Sequence, residues 1–177
     1  MCDYAQHGLT EPAQADRVVW LAGDRPAGLR LWHAGGMRTM SHEEALAFLA
    51  EGTRIGKLAT ASKTGAPHVA PLWFVVASDD LVFTTGRDSL KARHLRANPR
   101  AALAVDTEVF PYNFVLARGP VSIQDDAADL LTWTTAIAGR YVPPARAEEY
   151  GRIYADAREL LCRLRVDHLT GARDVVA

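Results

Sequence analysis

Short runs of alternating apolar and polar residues fill the middle of this chain, and stretches with helical spacing interrupt them. Ser41-His42-Glu43-Glu44 has the form of a capping box, Ser at the N-cap and Glu at the third helical position. Ala45, Leu46, Phe48 and Leu49 then make one apolar helix face, and Gly52 supplies the stop. Arg54–Ala61 and His68–Val76 read as strands joined by the turn residues Ser62–Pro67. Ser78-Asp79-Asp80 is the next turn and Leu81–Thr85 the next strand. Ser89 caps a helix over Leu90–Ala97 that ends at Asn98-Pro99. Ala101–Asp106 and Phe114–Ile123 are strands, the second pausing at Gly119-Pro120. A helix opens at Asp125-Asp126 and runs to about Tyr141, a second spans about Ala145–Leu160, and Leu161–Val166 is the last strand. The pattern predicts a mainly β domain, a small barrel with added helices.

Residues 1–40 lack a sustained period and are expected to form a loose or docked N-terminal extension, with 41–177 as the folded domain. Trp20 and Trp32 are the side chains through which it would dock. Gly35-Gly36 ahead of Met37 and Met40 also fits a start site inside this stretch.

At 177 residues the chain has the length of one domain with an appendage. Hydrophobic residues are 49% and charged residues 23%, which argues against global disorder. The net charge of −1 lacks the basic excess of a duplex nucleic-acid binder. Cys2 and Cys162 are too few for a disulfide framework or a zinc site, which suits a reducing cytoplasm. No stretch approaches the roughly 20 apolar residues of a membrane span, and no His/Cys spacing suits a metal.

The richest segment is Thr84-Thr85-Gly86-Arg87-Asp88-Ser89-Leu90-Lys91-Ala92-Arg93. It places hydroxyls at a strand end, then a helix N-terminus with Lys91 and Arg93 in its first turns. Free N–H groups and the helix dipole favour anions there, and Lys and Arg add charge for phosphate oxygens. The segment reads as a cofactor phosphate site or as a solvated basic helix capped by Ser89. A second segment, His68-Val69-Ala70-Pro71-Leu72-Trp73-Phe74, carries a proline that cannot donate to a sheet ladder and so belongs at an edge or bulge. Its backbone would face a planar heterocycle, or Trp73 and Phe74 simply pack a core. His68 is a candidate donor or a structural histidine, and His94 carries the same two readings. Trp133, Ile137 and Tyr141 share a helix face suited to packing, and Glu148, Glu149 and Asp156 read as solvated surface. No GxSxG elbow marks a nucleophile.

The blocks Arg54–Thr60, Gly65–Phe74, Leu81–Thr85, Ser89–Leu103 and Tyr112–Gly119, in this order, resemble the pyridoxamine-phosphate-oxidase-like split β-barrel proteins over about residues 41–170. The branch they resemble most is the flavin/deazaflavin oxidoreductases. The resemblance implies an FMN-binding split β-barrel, homodimeric, with the cofactor at the subunit interface. It implies coenzyme F420 as cofactor, with FMN as the alternative, and hydride transfer from the reduced ring to a small electron-poor organic substrate. By the same resemblance the phosphate and polyglutamate end lies near Ser89, Lys91 and Arg93 with Thr84 and Thr85 beside it, and the ring lies along His68, Val69, Ala70, Pro71 and Leu72. No acid–base residue is implied, because the cofactor carries the chemistry. Ser89-Leu90-Lys91 stands where vitamin B6 oxidases have Ser-Arg-Lys, Phe114 where they have Gln, and Val166–Gly171 in place of an Arg-rich end. These departures argue against vitamin B6 oxidation. An FMN-dependent oxidoreductase and a non-catalytic cofactor-binding protein are the competing readings.

Overall fold

The computed structural model describes residues 37–157 and 159–175. In chain order the elements are β1 (Arg38–Thr39), α1 (His42–Ala50), β2 (Gly56–Ala61), β3 (Pro67–Leu72), β4 (Phe74–Ala77), β5 (Asp80–Gly86) and α2 (Leu90–Ala97). They continue with β6 (Arg100–Asp106), β7 (Phe114–Gln124), α3 (Leu130–Tyr141), a 3-10 turn (Pro144–Arg146), α4 (Ala147–Asp156), β8 (Glu159–Arg165) and β9 (His168–Arg173). The predicted extension lies outside the described residues, save that Arg38–Thr39 pairs with β9 and Met40 is buried in the core.

Every strand pairing is antiparallel, in the order β3-β2-β6-β7-β8-β5-β4, with β9 attached to β7 and β1 to β9. The two ends of that order, β3 and β4, are neighbours in sequence with only Trp73 between them. The sheet therefore curls until its two edges meet at one residue, which is a split β-barrel. Its interior is filled by Leu58, Phe74, Leu81, Phe83, Leu103, Val115, Leu160 and Leu164. Phe48 and Leu49 of α1 and Leu95 of α2 join the same core. Burying such side chains is worth about 1.5–3 kcal/mol each, and this drives the curl.

Two expectations about caps are met in detail. Ser41 Oγ accepts from Glu44 N–H at 3.1 Å while Glu44 accepts from Ser41 N–H at 2.8 Å. Ser89 Oγ accepts from Ala92 N–H at 3.1 Å. The predicted strand His68–Val76 is instead two strands broken at Trp73, because β3 and β4 belong to opposite ends of the sheet. β7 does not pause at Gly119-Pro120. It runs through, pairing with β9 over Phe114–Arg118 and with β8 over Val121–Gln124. Gly119 is required there, since a Cβ at this position would sit 1.9 Å from the Arg165 carbonyl oxygen.

The helix expected from Asp125 begins only at Leu130. Asp126 sits at φ 56°, outside helical geometry. The Asp125 and Asp126 carboxylates are taken up by Arg87 at 2.8 and 3.2 Å. The next helix ends at Asp156 and β8 starts at Glu159, ahead of the expected Leu161. β8 is also not the last strand, because His168–Arg173 forms β9. Among the described residues no helix is long and apolar enough to cross a membrane.

Candidate functional site

A cleft of about 280 Å³ opens where the β3–β4 break, the end of β5 and the first turn of α2 converge. Pro71, Leu72 and Trp73 form one wall, and Thr84, Thr85, Gly86 and Lys91 another. Thr134 and Ile137 of α3, Tyr154 of α4 and Glu159 of β8 complete it.

Each wall has a local cause. Trp73 is the residue at which the chain leaves one sheet edge for the other, so its side chain is not committed to either face. It stacks on Tyr141 with centroids 5.0 Å apart and planes 5° from parallel, and Tyr154 meets it edge-on at 5.8 Å. The Tyr141 hydroxyl donates to the Arg54 carbonyl at 3.0 Å and accepts from Phe74 N–H at 3.3 Å, which fixes the stack to the barrel. Burial pushes the Tyr141 phenol above its ordinary pKa, so it stays a neutral donor. α4 is brought close by Gly151, where a Cβ would lie 2.2 Å from Thr135 Oγ1. The buried Thr134 hydroxyl donates to the Gly151 carbonyl at 2.8 Å and locks the two helices together. The helix pair thus roofs the cleft.

At the polar wall the Ser89 hydroxyl is spent within the protein, on Ala92 N–H and on Thr85 Oγ1 at 2.9 Å. This holds the end of β5 against the start of α2. Lys91, half-buried, is left facing the cleft. Opposite it Glu159 is also half-buried. Desolvation raises its carboxyl above the ordinary pKa, against the pull of the Thr84 hydroxyl and the Lys91 charge.

Of the residues singled out from sequence, Pro71, Leu72, Thr84, Thr85 and Lys91 line this cleft. Ser89 supports it from behind. Arg93 is exposed on α2 and does not line it. His68, Val69 and Ala70 run along β3, the strand at one end of the sheet order. Val69 is 62% exposed there. The His68 ring stands edge-on to His94 at 5.9 Å, and buried His94 lies 3.3 Å by Nδ1 from Thr60 Oγ1; neither ring lines this cleft. Sequence reasoning missed Thr134, Tyr154 and Glu159. Glu159 fell inside an expected helix, and only the β5–β8 pairing Gly86↔Glu159 brings it to the cleft. Trp73, which the sequence equally allows in the core, lines the cleft. The Ile137 and Tyr141 spacing did signal the face that packs here.

Residues 41–162 match the sequence model of the family described as pyridoxamine 5'-phosphate oxidase, and the chain belongs to that family. Among solved structures it is similar to an F420 reductase, at 26% identity over 69% of this chain and 93% of that one, with a TM-score of 0.54. It is also similar to a conserved hypothetical protein from Mycobacterium tuberculosis (20% identity, 76% and 86% covered, TM-score 0.64). A FAD-binding protein from Mesorhizobium loti shares 20% identity over 77% and 97% of the two chains, with a TM-score of 0.58. The search of curated proteins gave no match.

Proposed function

We propose that this cleft seats a flavin-type cofactor, with coenzyme F420 as the leading candidate, and that the protein is a reductase of small electron-poor organic molecules. The carrying observation is the cleft's two-sided character. Lys91, Thr84 and Thr85 stand on one side, and Trp73, Ile137 and Tyr154 on the other. The residues fit the group in kind: a cation suits phosphate oxygens, and flat apolar walls suit a heterocycle. The 26% identity to an F420 reductase supports the deazaflavin over FMN.

When bound, such a cofactor supplies the hydride. The chain's part is to bind and to exclude water. Lys91 holds phosphate as a point charge, and Thr84 and Thr85 lie beside it. Pro71, Trp73 and Ile137 keep water from the ring face, which strengthens every electrostatic contact inside. A cleft of about 280 Å³ is too small to enclose a whole cofactor of this kind. β3 is an end strand with Val69 bare, and Leu90 is exposed at the start of α2. A second copy of the chain covering this edge would complete the site, so the active form is proposed to be a homodimer, in the cytoplasm.

The test is a titration of apo protein with oxidised F420 and, separately, with FMN, followed by cofactor fluorescence. Preferential F420 binding is expected, and Lys91→Ala should weaken it by about 1.5–3 kcal/mol, the worth of a charged hydrogen bond. Preferential FMN binding would move the assignment to a flavin oxidoreductase. Binding of neither would overturn it. Tight binding without turnover across a panel of acceptors would point to a non-catalytic carrier.

A further inference from the structure

Among the described residues, the cleft's polar wall holds one cation and one carboxylate. Lys91 projects from α2, and Glu159 enters from the first position of β8, opposite Gly86 in register. Gly86 carries no side chain to screen Glu159, whose Oε1 lies 3.6 Å from where a Cβ at that glycine would stand. Thr84 is the other neighbour of the carboxyl. On its far side Glu159 borders a recess lined by Arg87, Asp126 and Asp156. Arg87 is already paired with Asp125 and Asp126, so it brings no spare positive charge to the cleft. With Glu159 ionised, the described side chains of this one chain therefore offer an incoming phosphate a net charge close to zero.

A phosphomonoester carries between one and a half and two negative charges near neutral pH, while a phosphodiester carries one. Lys91 satisfies a single charge. The second charge of a monoester must either lie beside the Glu159 carboxylate or force a proton onto it. We propose that Glu159 is a specificity-determining residue that makes the cleft prefer a singly charged phosphodiester tail over a terminal phosphate. The proposal rests on the cofactor reading above and sharpens it, because it disfavours FMN through one identifiable side chain. Burial of the carboxyl strengthens the effect, since less water is present to screen it.

The experiment uses three fluorescent ligands of one ring system at pH 7.5: riboflavin, riboflavin 5'-methylphosphate and FMN. Each is titrated into the full-length wild-type protein and into Glu159→Gln, which keeps the side chain's shape and its contact with Thr84. Wild type is expected to bind the methyl diester about tenfold more tightly than FMN, an extra charge costing about one pKa unit in equivalent terms. Glu159→Gln is expected to tighten FMN by about the same factor while riboflavin stays within about twofold. A wild-type preference for FMN would overturn the proposal without any variant. An unchanged preference in Glu159→Gln, or equal shifts for all three ligands, would overturn it too. Failure of all three ligands and of F420 to bind either protein would instead remove the cofactor reading itself, and this proposal with it.

Discussion

Arg140 is the residue whose loss should test the architecture of the site most directly. It reaches from α3 to three backbone carbonyls, in α1, in the turn that follows it and in β4: Nη2 to Leu49 at 2.6 Å, Nε to Gly52 at 2.8 Å and Nη1 to Phe74 at 2.9 Å. It thereby caps the C-terminal end of α1, where orphan carbonyls need donors, and pins the residue that follows Trp73. Its guanidinium also lies 4.4 Å over the Phe74 ring. Burial lowers its pKa, yet arginine stays charged at any accessible pH. A hydrogen bond to a charged group is worth about 1.5–3 kcal/mol net. Three such bonds do not add fully, because the side chain is half-exposed and water can replace part of what is lost. About 3 kcal/mol for Arg140→Ala is the resulting figure. For a chain of this size that is a drop of about 6–12 °C in Tm. It is also a shift of about 1.5 M in urea midpoint if the slope is about 2 kcal/mol per M. Arg140→Lys should fall between, since an ammonium cannot reach three divergent carbonyls. The assay is urea unfolding followed by tryptophan fluorescence, with F420 affinity measured on the folded variant. Affinity should fall as well, because Trp73 loses its anchor. An Arg140→Ala loss under about 1 kcal/mol with an unchanged slope would refute the account of how α3 is tied to the barrel.

Other outcomes follow from single sites. Gly119→Ala should fail to give folded protein, because its methyl would meet the backbone of Arg165 rather than a movable side chain; recovery of a native circular-dichroism spectrum would contradict the strand crossing. Arg38 and the Ser41 N–H hold the Glu44 carboxyl down to about 2. Its stabilising effect is therefore full above the unfolded-state pKa of about 4.3 and lost as pH falls from there through about 2. Wild type should exceed Glu44→Gln in Tm near neutral pH, and the gap should close on acidification. Burial pushes the Cys162 thiol up to about 12, so in a Cys2→Ser background the native protein should resist maleimide and react only in denaturant; rapid native labelling would show that β8 opens.

How much of this was written in the chain differs by element. Short-range signals were read well. The capping box at Ser41–Glu44 and the Ser89 cap are made by residues three apart, so local chemistry alone specifies them. The hairpin through Ser62–Pro67 is equally local. Strand limits were read to within a residue or two wherever turn residues flank them, as at Asp80–Gly86 and Arg100–Asp106. Five of the eleven residues lining the candidate cleft, Pro71, Leu72, Thr84, Thr85 and Lys91, were legible because each lies in a segment whose residue types suit a phosphate or a heterocycle.

What the sequence could not decide concerns partners far along the chain. Alternation marks a strand but not its neighbours, so the break at Trp73 looked like one strand until the sheet closed on itself. Asp125 and Asp126 have the composition of a helix start, yet ion pairs with Arg87, 38 and 39 residues earlier, hold them outside the helix. Glu159 sits between a helix and a strand in sequence, and no local pattern distinguishes it from a solvated glutamate. It reaches the cleft only because the antiparallel pairing of β5 with β8 sets it beside Gly86, on the same cleft as Lys91. Hydrogen-bonding and capping preferences act over three or four residues and are written in the chain. The meeting of charges in a cleft is set by how the whole sheet curls to bury its apolar face, and only the tertiary structure decides that.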